Sequence, residues 1–307
     1  MSRLEEMEAF VRTVEAGSIT AAADQLKLAK SAVSRRLKEF EARLGVQLLN
    51  RTTRRISLTP DGEALYRRGK TLLDDWDNAE SVVQSGQGEL TGLVRLTAPL
   101  SFGVRHVGPA LLDFADDNPG INFDVDFSDR QVDLVSEGID LAIRIGALAD
   151  SSLVATRLAP ISMIAAASPA YLDTTGSVAI PEDLTGCREL RYAYRRESSW
   201  VFTSKAGIQH AVEMKPILHS TSGDFLTEAA VCGMGIVIQP SFLLLNEIER
   251  GDIVRLLPDY RLPSLGLYAV YPPTRHLSRR VRALVDFLKA RFGSSQTWDV
   301  DAPTSQH

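Results

Sequence analysis

Cysteine, histidine and long apolar runs are scarce in this sequence, and each scarcity excludes a class of protein. Two cysteines, Cys187 and Cys232, are too few for a disulfide framework; in a reducing compartment they read as small core residues. Five histidines are scattered without HExxH spacing, and no CxxC pair exists, so neither a metal nor another cofactor is expected. No run of about 18 apolar residues is present, which argues against a transmembrane helix and against a membrane partner. The opening stretch MSRLEEMEAFVRTVEAGS carries acids where a secretory signal needs an apolar core, so the expected localisation is cytoplasmic. A G-x-S-x-G elbow and a P-loop are also missing, and Gly233-Met234-Gly235 lacks the third glycine of a dinucleotide fingerprint. An enzyme is therefore not expected, and no catalytic residue is assigned.

What is present is a charge asymmetry. The 307 residues carry a formal net charge of −5, yet Lys27 to Lys70 holds twelve basic and four acidic residues, leaving −13 for the remainder. A basic segment on an acidic chain is the footprint of a small module that grips phosphates. Periodicity supports this over a merely solvated charged face. Leu4, Met7, Phe10, Val11 and Val14 form one apolar stripe of a helix that Gly17 ends, and Ser18 is placed to cap the next. The second helix, Thr20 to Lys27, is short and alanine-rich, which allows close helix approach. A third helix from Ser31 buries Ala32, Val33, Leu37, Phe40 and Leu44 and stops at Gly45. Lys30, Ser31, Ser34, Arg35 and Lys38 stand at its start and on another face, where a helix-turn-helix reaches base edges in the major groove. The following stretch, VQLLNRTTRRISLT, reads as a hairpin whose tip carries Arg51, Thr53, Arg54 and Arg55, a basic wing for the DNA backbone.

These residues carry a resemblance. The run from Leu4 to Thr59, containing FVRTVEAGSITAAADQL and SAVSRRLKEFEARLGVQLLNRTTRRISLTPDG, closely resembles LysR-type transcriptional regulators. The first expected domain is thus a winged helix-turn-helix over 1–59, rich in α-helix, with double-stranded DNA as partner. A linker helix over 60–89 follows, started by Thr59-Pro60-Asp61-Gly62. Leu65, Leu72, Trp76, Ala79 and Val83 trace a coiled-coil seam with Gly69 filling one gap, and SGQGEL reads as a hinge after it. The competing reading is a surface helix packed on its own domain. The resemblance implies pairing through this helix, as a homodimer or a tetramer.

From Leu93 onward strand and helix signals alternate: LVRLTA, INFDVDF and DLAIRIG read as strands of a mostly parallel sheet, with a helix carrying Val107, Leu111, Leu112 and Phe114. A second run follows with ISMIAAAS, RELRYAY, SSWVFTS, a helix near Gly223 and GIVIQ. A last helix, Ser278 to Phe292, places Val281, Leu284, Val285 and Leu288 on one side for packing on the first lobe. The arrangement resembles the two-lobed, periplasmic-binding-protein-like α/β effector domain of the same family. Its span is 90–293, with lobe I over about 90–160 and 269–293, lobe II over about 161–268, and a disordered tail at 294–307.

The cleft between such lobes holds ligands at strand C-termini. Leu100, Ser101 and Phe102 start a helix whose N–H groups, with the Ser101 hydroxyl, suit an anion; the resemblance points to a ligand carboxylate or other polar group, hence an unidentified effector that is anionic or polar. Ser128 and Arg130 end the second strand, Ile145 and Gly146 the third. Arg144 is expected in an internal salt bridge. Trp200 and Phe202 share one strand face, as core or as ligand platform, and His219, Ser220 and Thr221 form a polar rim before the Gly223 helix. The expected function is a LysR-type regulator that binds a promoter as an oligomer, answers a small molecule, and has RNA polymerase among its partners. The alternative is a DNA-binding protein with an effector-independent C-terminal assembly domain. A secreted solute-binding protein would share the two lobes but not the basic N-terminal module.

Overall fold

Caps set the limits of the N-terminal helices. In the computed structural model, which describes residues 2–51, 56–85, 89–146, 153–273 and 277–294, the Ser2 hydroxyl accepts from the Leu4 N–H and Glu5 reaches back to the Ser2 N–H. That capping box starts α1 (Arg3–Ala16), and Gly17, at φ 67°, closes it. Ser18 caps α2 (Ile19–Gln25) through the Ala21 N–H, and α3 (Lys30–Leu44) ends at Gly45. Strands β1 (Leu49–Arg51) and β2 (Ile56–Leu58) pair antiparallel as the wing. Phe10, Val11, Val33, Leu37, Phe40, Leu48 and Leu49 form the core, with the two phenylalanine rings edge-on at 5.9 Å. At about 1.5–3 kcal/mol per large side chain buried, this burial is what draws the three short helices together. Leu44, expected inside, is 40% exposed, because residues 42–47 run along the domain's outer edge.

Helix α4 (Pro60–Ser85) starts at Thr59, whose hydroxyl accepts from the Gly62 N–H at 3.0 Å. The expected seam divides in two. Leu65, Gly69 and Leu73 follow an i, i+4, i+8 stripe against the N-terminal core, and a Cβ at Gly69 would lie 2.4 Å from the Met7 sulfur. Gly69 is therefore packed on α1 rather than filling a gap toward a partner helix. Leu72 and Trp76 project from a different side at 53% and 50% exposure. The side chains of Ala79 and Val83, and hinge residues 86–88, lie outside the described residues, as does the tail beyond 294.

Lobe I opens with β3 (Gly92–Ala98) and a helical run made of α5 (Leu100–Phe102), a π-helical turn (Gly103–Val107) and α6 (Gly108–Asp117). It continues through β4 (Ile121–Phe127), α7 (Leu134–Glu137), β5 (Leu141–Gly146) and β6 (Val154–Ile161). The chain crosses at Ser162 into lobe II, which starts with β7 (Met163–Ala167), α8 (Pro169–Thr175) and β8 (Arg188–Tyr192). There follow β9 (Trp200–Ser204), β10 (Gln209–Val212), β11 (Lys215–Ser220) and α9 (Gly223–Val231). Lobe II ends with β12 (Ile236–Pro240), α10 (Leu245–Arg250), β13 (Val254–Leu256) and β14 (Tyr260–Arg261). The chain returns through β15 (Leu265–Tyr271) and finishes with α11 (Arg279–Ser294).

The lobe I sheet has the order β4-β3-β5-β15-β6 and the lobe II sheet β11-β8-β12-β7-β13, with a small β10-β9-β14 sheet beside the latter. In each five-stranded sheet one strand opposes the rest: β15 in lobe I and β7 in lobe II. Both have just crossed between lobes, so they enter at the end where the parallel strands finish and must run the other way. Because β15 pairs along its whole length with β5 and β6, residues 265–268 belong to lobe I, not to lobe II as the sequence division had it. Val281, Leu284, Val285 and Leu288 of α11 are buried on lobe I. Of the apolar residues of α6, Leu112 is 69% exposed while Leu111 and Phe114 are buried. No helix among the described residues is long and apolar enough to cross a membrane.

Candidate functional site

Two surfaces carry the candidate residues. On α3, Val33, Leu37 and Phe40 face the core, so Lys30, Ser31, Arg35 and Lys38 stand exposed and Ser34 half-buried between them. Ala29 precedes the helix without a side-chain cap, and no acid lies in the first turn, which leaves its N–H groups and dipole open to a phosphate. Arg35 meets Glu39 at 3.8 Å with both side chains largely in solvent, a contact worth little that leaves the guanidinium available to DNA. Arg36 turns inward toward Glu5 at 3.6 Å, and Arg43 is held by the buried Glu6 carboxylate at 2.9 and 2.5 Å. These two cations serve the fold. Of the wing residues, Thr53, Arg54 and Arg55 and the Arg51 side chain lie outside the described residues.

The second surface is the join between the lobes, where β3, β4 and β5 of lobe I and β8 and β11 of lobe II all end. Ser101 donates to Asp224 at 2.6 Å, and Arg105 contacts Asp224 at 2.5 Å and the Phe242 carbonyl at 3.0 Å. Both are lobe I side chains reaching lobe II. Asp129 faces the Leu100 amide, the Tyr192 hydroxyl and the Arg144 guanidinium; burial outweighs these and holds its carboxyl above the usual range. Tyr192 is pushed up by burial and then by Asp129, and Arg144 is lowered by burial against the opposing pull of Asp129 and Asp126. Among the described residues Arg144 makes no direct salt bridge of the kind expected, although Asp129 and Asp126 lie within its electrostatic reach. Its Nη1 donates to the Ile143 carbonyl at 2.9 Å, and its buried Nη2 has no hydrogen-bond partner among the described residues.

Several expected effector contacts are placed elsewhere. Phe102 is fully buried between Phe242 and Phe292, because the helical run turns its ring into the core shared by both lobes. Trp200 and Phe202 lie in the lobe II core, where the Trp200 indole donates to Glu189 at 2.8 Å; their common strand face is the inner one. Arg130 is taken by Glu137, seven residues on in α7, at 2.7 and 3.1 Å. His219 points with Lys215 and Ile217 to the exposed face of β11, opposite Leu218. Leu100, Ser101, Ser128, Ile145, Gly146, Ser220 and Thr221 do stand at strand ends or helix starts of the two lobes. Ser128 and Ser220 accept from the Arg130 and Ser222 amides. Arg105, Asp129, Tyr192 and Asp224 were not anticipated: their partners are far off in sequence, 123 residues for Ser101 and Asp224, and no local pattern signals them.

His106 lies against Phe102 and Phe242, with ring centroids 4.7 and 5.9 Å away. Burial, and secondarily Arg105, lowers its pKa to about 4. The unfolded imidazole takes up a proton near pH 6.5, the folded one only near 4. Stability should therefore fall as pH drops from 6.5 to 4, by at most about 3 kcal/mol, and be unaffected by this group above 6.5. His106→Leu is expected to flatten that part of the profile in urea titrations at stepped pH; an unchanged slope would assign the loss to other groups. Among the described residues, no group of three or more His, Cys, Asp or Glu side chains is placed to hold a metal ion.

Comparison with known proteins follows the same division. Residues 4–63 match the family model described as bacterial regulatory helix-turn-helix protein, lysR family, and residues 87–293 match the LysR substrate binding domain. The chain is 38% identical to the HTH-type transcriptional regulator PtxR of Pseudomonas aeruginosa over 291 residues, covering 94% of this chain and 93% of that one. It resembles the structure of CrgA, a LysR-type transcriptional regulator from Neisseria meningitidis, at 31% identity and a TM-score of 0.59, over 95% of this chain and all of that one. It shares its fold with the full-length Vibrio cholerae virulence activator AphB, at 24% identity and a TM-score of 0.57, over 95% and 100% of the two chains.

Proposed function

The chain belongs to the LysR family of DNA-binding transcriptional regulators, and from that premise we propose how its parts divide the work. It is a regulator with an effector-binding domain and not an enzyme. Residues 1–59 bind DNA, with Lys30, Ser31, Ser34, Arg35 and Lys38 toward the major groove and Arg51, Thr53 and Arg54 along the backbone. The observation that carries this is the α3 face: a basic, exposed stripe on a helix whose opposite side is packed into the core. Residues 60–89 pair two chains. Leu72 and Trp76, apolar and half-exposed on a side of α4 other than the one that packs on its own domain, support that role. Residues 90–293 hold a small molecule where the lobes meet, near Leu100, Ser101, Ser128, Ile145, Gly146, Ser220 and Thr221.

A ligand that favours one inter-lobe geometry would change the spacing of the paired DNA-binding heads, and with it DNA bending or contact with RNA polymerase. A coupling of about 1–3 kcal/mol gives a 5- to 150-fold change in operator affinity. The chain is expected to act in the cytoplasm, where its DNA is. The match of residues 87–293 to a substrate-binding domain favours this reading over a C-terminal part that serves assembly alone.

The test is to map the genomic fragments the protein retains and to run gel shifts on the strongest at fixed salt. A few sharp sites with two-fold symmetry are expected; diffuse, salt-sensitive retention without a shared motif would sink the proposal. On such a site Arg35→Ala should weaken binding by about 1–3 kcal/mol while leaving affinity for random DNA nearly unchanged. Equal loss on both would make Arg35 a phosphate contact.

A further inference from the structure

Two donors that lobe I turns toward lobe II, the Ser101 hydroxyl and the Arg105 guanidinium, are already engaged by a lobe II carboxylate. Asp224 accepts from Ser101 at 2.6 Å through one oxygen and meets Arg105 at 2.5 Å through the other. Arg105 is further anchored on the Phe242 carbonyl. Beside this clasp, Asp129 faces the Leu100 amide, Tyr192 and Arg144, and Asp126 lies within electrostatic reach of Arg144. Among the described residues, the two guanidinium groups of this cluster thus face the carboxylates Asp129 and Asp224, with a further acid nearby, so its formal charges leave no net positive excess to draw in an anion. The clasp is reachable: the Arg105 and Asp224 side chains are 35% and 42% exposed, and Leu100 beside them is 42% exposed.

We propose that Asp224 is a selectivity determinant of the effector cleft: it occupies the donors that an anionic ligand would use, and so steers the cleft toward uncharged molecules bearing hydroxyl or amide groups. This rests on the reading that the cleft binds an effector. An anion would have to displace Asp224 from Ser101 and Arg105 and then sit close to a carboxylate in surroundings less polarisable than water. An uncharged hydroxyl or amide meets no such repulsion. It can donate to lone pairs that each carboxylate oxygen still has free after one hydrogen bond. The anionic effector suggested by the Ser101 helix start is, on this account, the class the cleft rejects.

The experiment is calorimetric titration of the full-length chain with two probes, sodium sulfate and sodium benzoate. Asp224→Asn keeps the side chain's shape but leaves Arg105 without its counter-charge. Anion affinity in this variant is expected to rise at least about tenfold over the unaltered chain. Adding Arg105→Gln should return it to the starting level. Asp224→Ser, acceptable in the first turn of a helix, gives the same reading should the Asn variant fail to fold. The proposal is overturned if the unaltered chain binds either probe as tightly as the Asp224 variants, or if the gain survives loss of Arg105. Gel shifts without ligand separate the two ideas: an operator bound by the unaltered chain with no anion gain in the variants overturns only the selectivity proposal.

Discussion

Gly62→Ala is expected to destabilise the DNA-binding domain by about 3 kcal/mol, the upper end of the usual cost of overpacking, and to abolish operator binding with it. A Cβ at position 62 would stand 2.0 Å from the Leu48 carbonyl oxygen and 2.9 Å from its carbon. Neither atom can step aside cheaply. The Leu48 carbonyl accepts from the Thr59 N–H at 3.0 Å, and the Leu48 and Leu49 amides are pinned by Glu41. Relief would have to come from moving α4 off the wing, which also undoes the Thr59 cap. Helix propensity predicts the opposite sign, since alanine in a helix is favoured over glycine by about 1 kcal/mol; the two accounts are therefore separable in one measurement. Calorimetry of the full-length variant should show an earlier N-terminal transition, with the effector-domain transition in place. An alanine variant that melts at or above the unaltered chain and binds its operator normally would refute the packing argument. Gly45→Ala is a useful contrast: its φ of +73° is unfavourable for alanine, but nothing lies within 4 Å of the added carbon, so a cost of about 1–2 kcal/mol is expected.

Much of the first domain was legible because its signals are local. Gly17, Ser18 and Gly45 stand where the helices begin and end, and Ala22 and Ala23 are buried where small side chains allow close approach. The exposed face of α3 followed from which residues had to be inside. The seam of α4 was harder, because Leu65 belongs by spacing both to a seven-residue repeat and to the i, i+4 stripe through Gly69 and Leu73. Which stripe meets the protein's own core depends on where α1 lies, and that is not written in α4. The same limit explains Phe102, Trp200 and Phe202. Alternation shows that Trp200 and Phe202 share a face but not whether that face is buried or borders a cleft. The inter-lobe clasp was out of reach for a different reason. Ser101, Arg105, Asp129, Tyr192 and Asp224 come together because parallel strands of two sheets end on one side, a consequence of topology. Topology also reversed β7 and β15, which no alternation pattern could indicate.

Arg191→Ala should cost lobe II about 3–5 kcal/mol, the loss typical of removing one partner from a buried ion pair. Glu189 is 1% exposed; Arg191 donates to its Oε2 at 2.9 and 2.5 Å, and the Trp200 indole donates to Oε1 at 2.8 Å. Without Arg191 the carboxylate would stay out of water with one neutral donor. Arg195 lies within electrostatic reach of Glu189, but it is stacked 3.7 Å over the Trp200 ring and hydrogen-bonded to the Glu197 and Ser199 carbonyls. The penalty belongs to the orphaned charge more than to the lost attraction, and this gives a sharper test than the single variant. Glu189→Met with Arg191→Met removes both charges at similar volume and should recover most of the loss. If the double variant is as unstable as Arg191→Ala, the two residues matter through packing of β8 rather than through charge. The consequence reaches the inter-lobe site, because Arg191 precedes Tyr192, whose hydroxyl faces Asp129 of lobe I. A loosened end of β8 should therefore weaken effector binding in Arg191→Ala even at temperatures where lobe II remains folded. An Arg191→Ala chain with unchanged ligand affinity would show that the inter-lobe site does not depend on how the end of β8 is held.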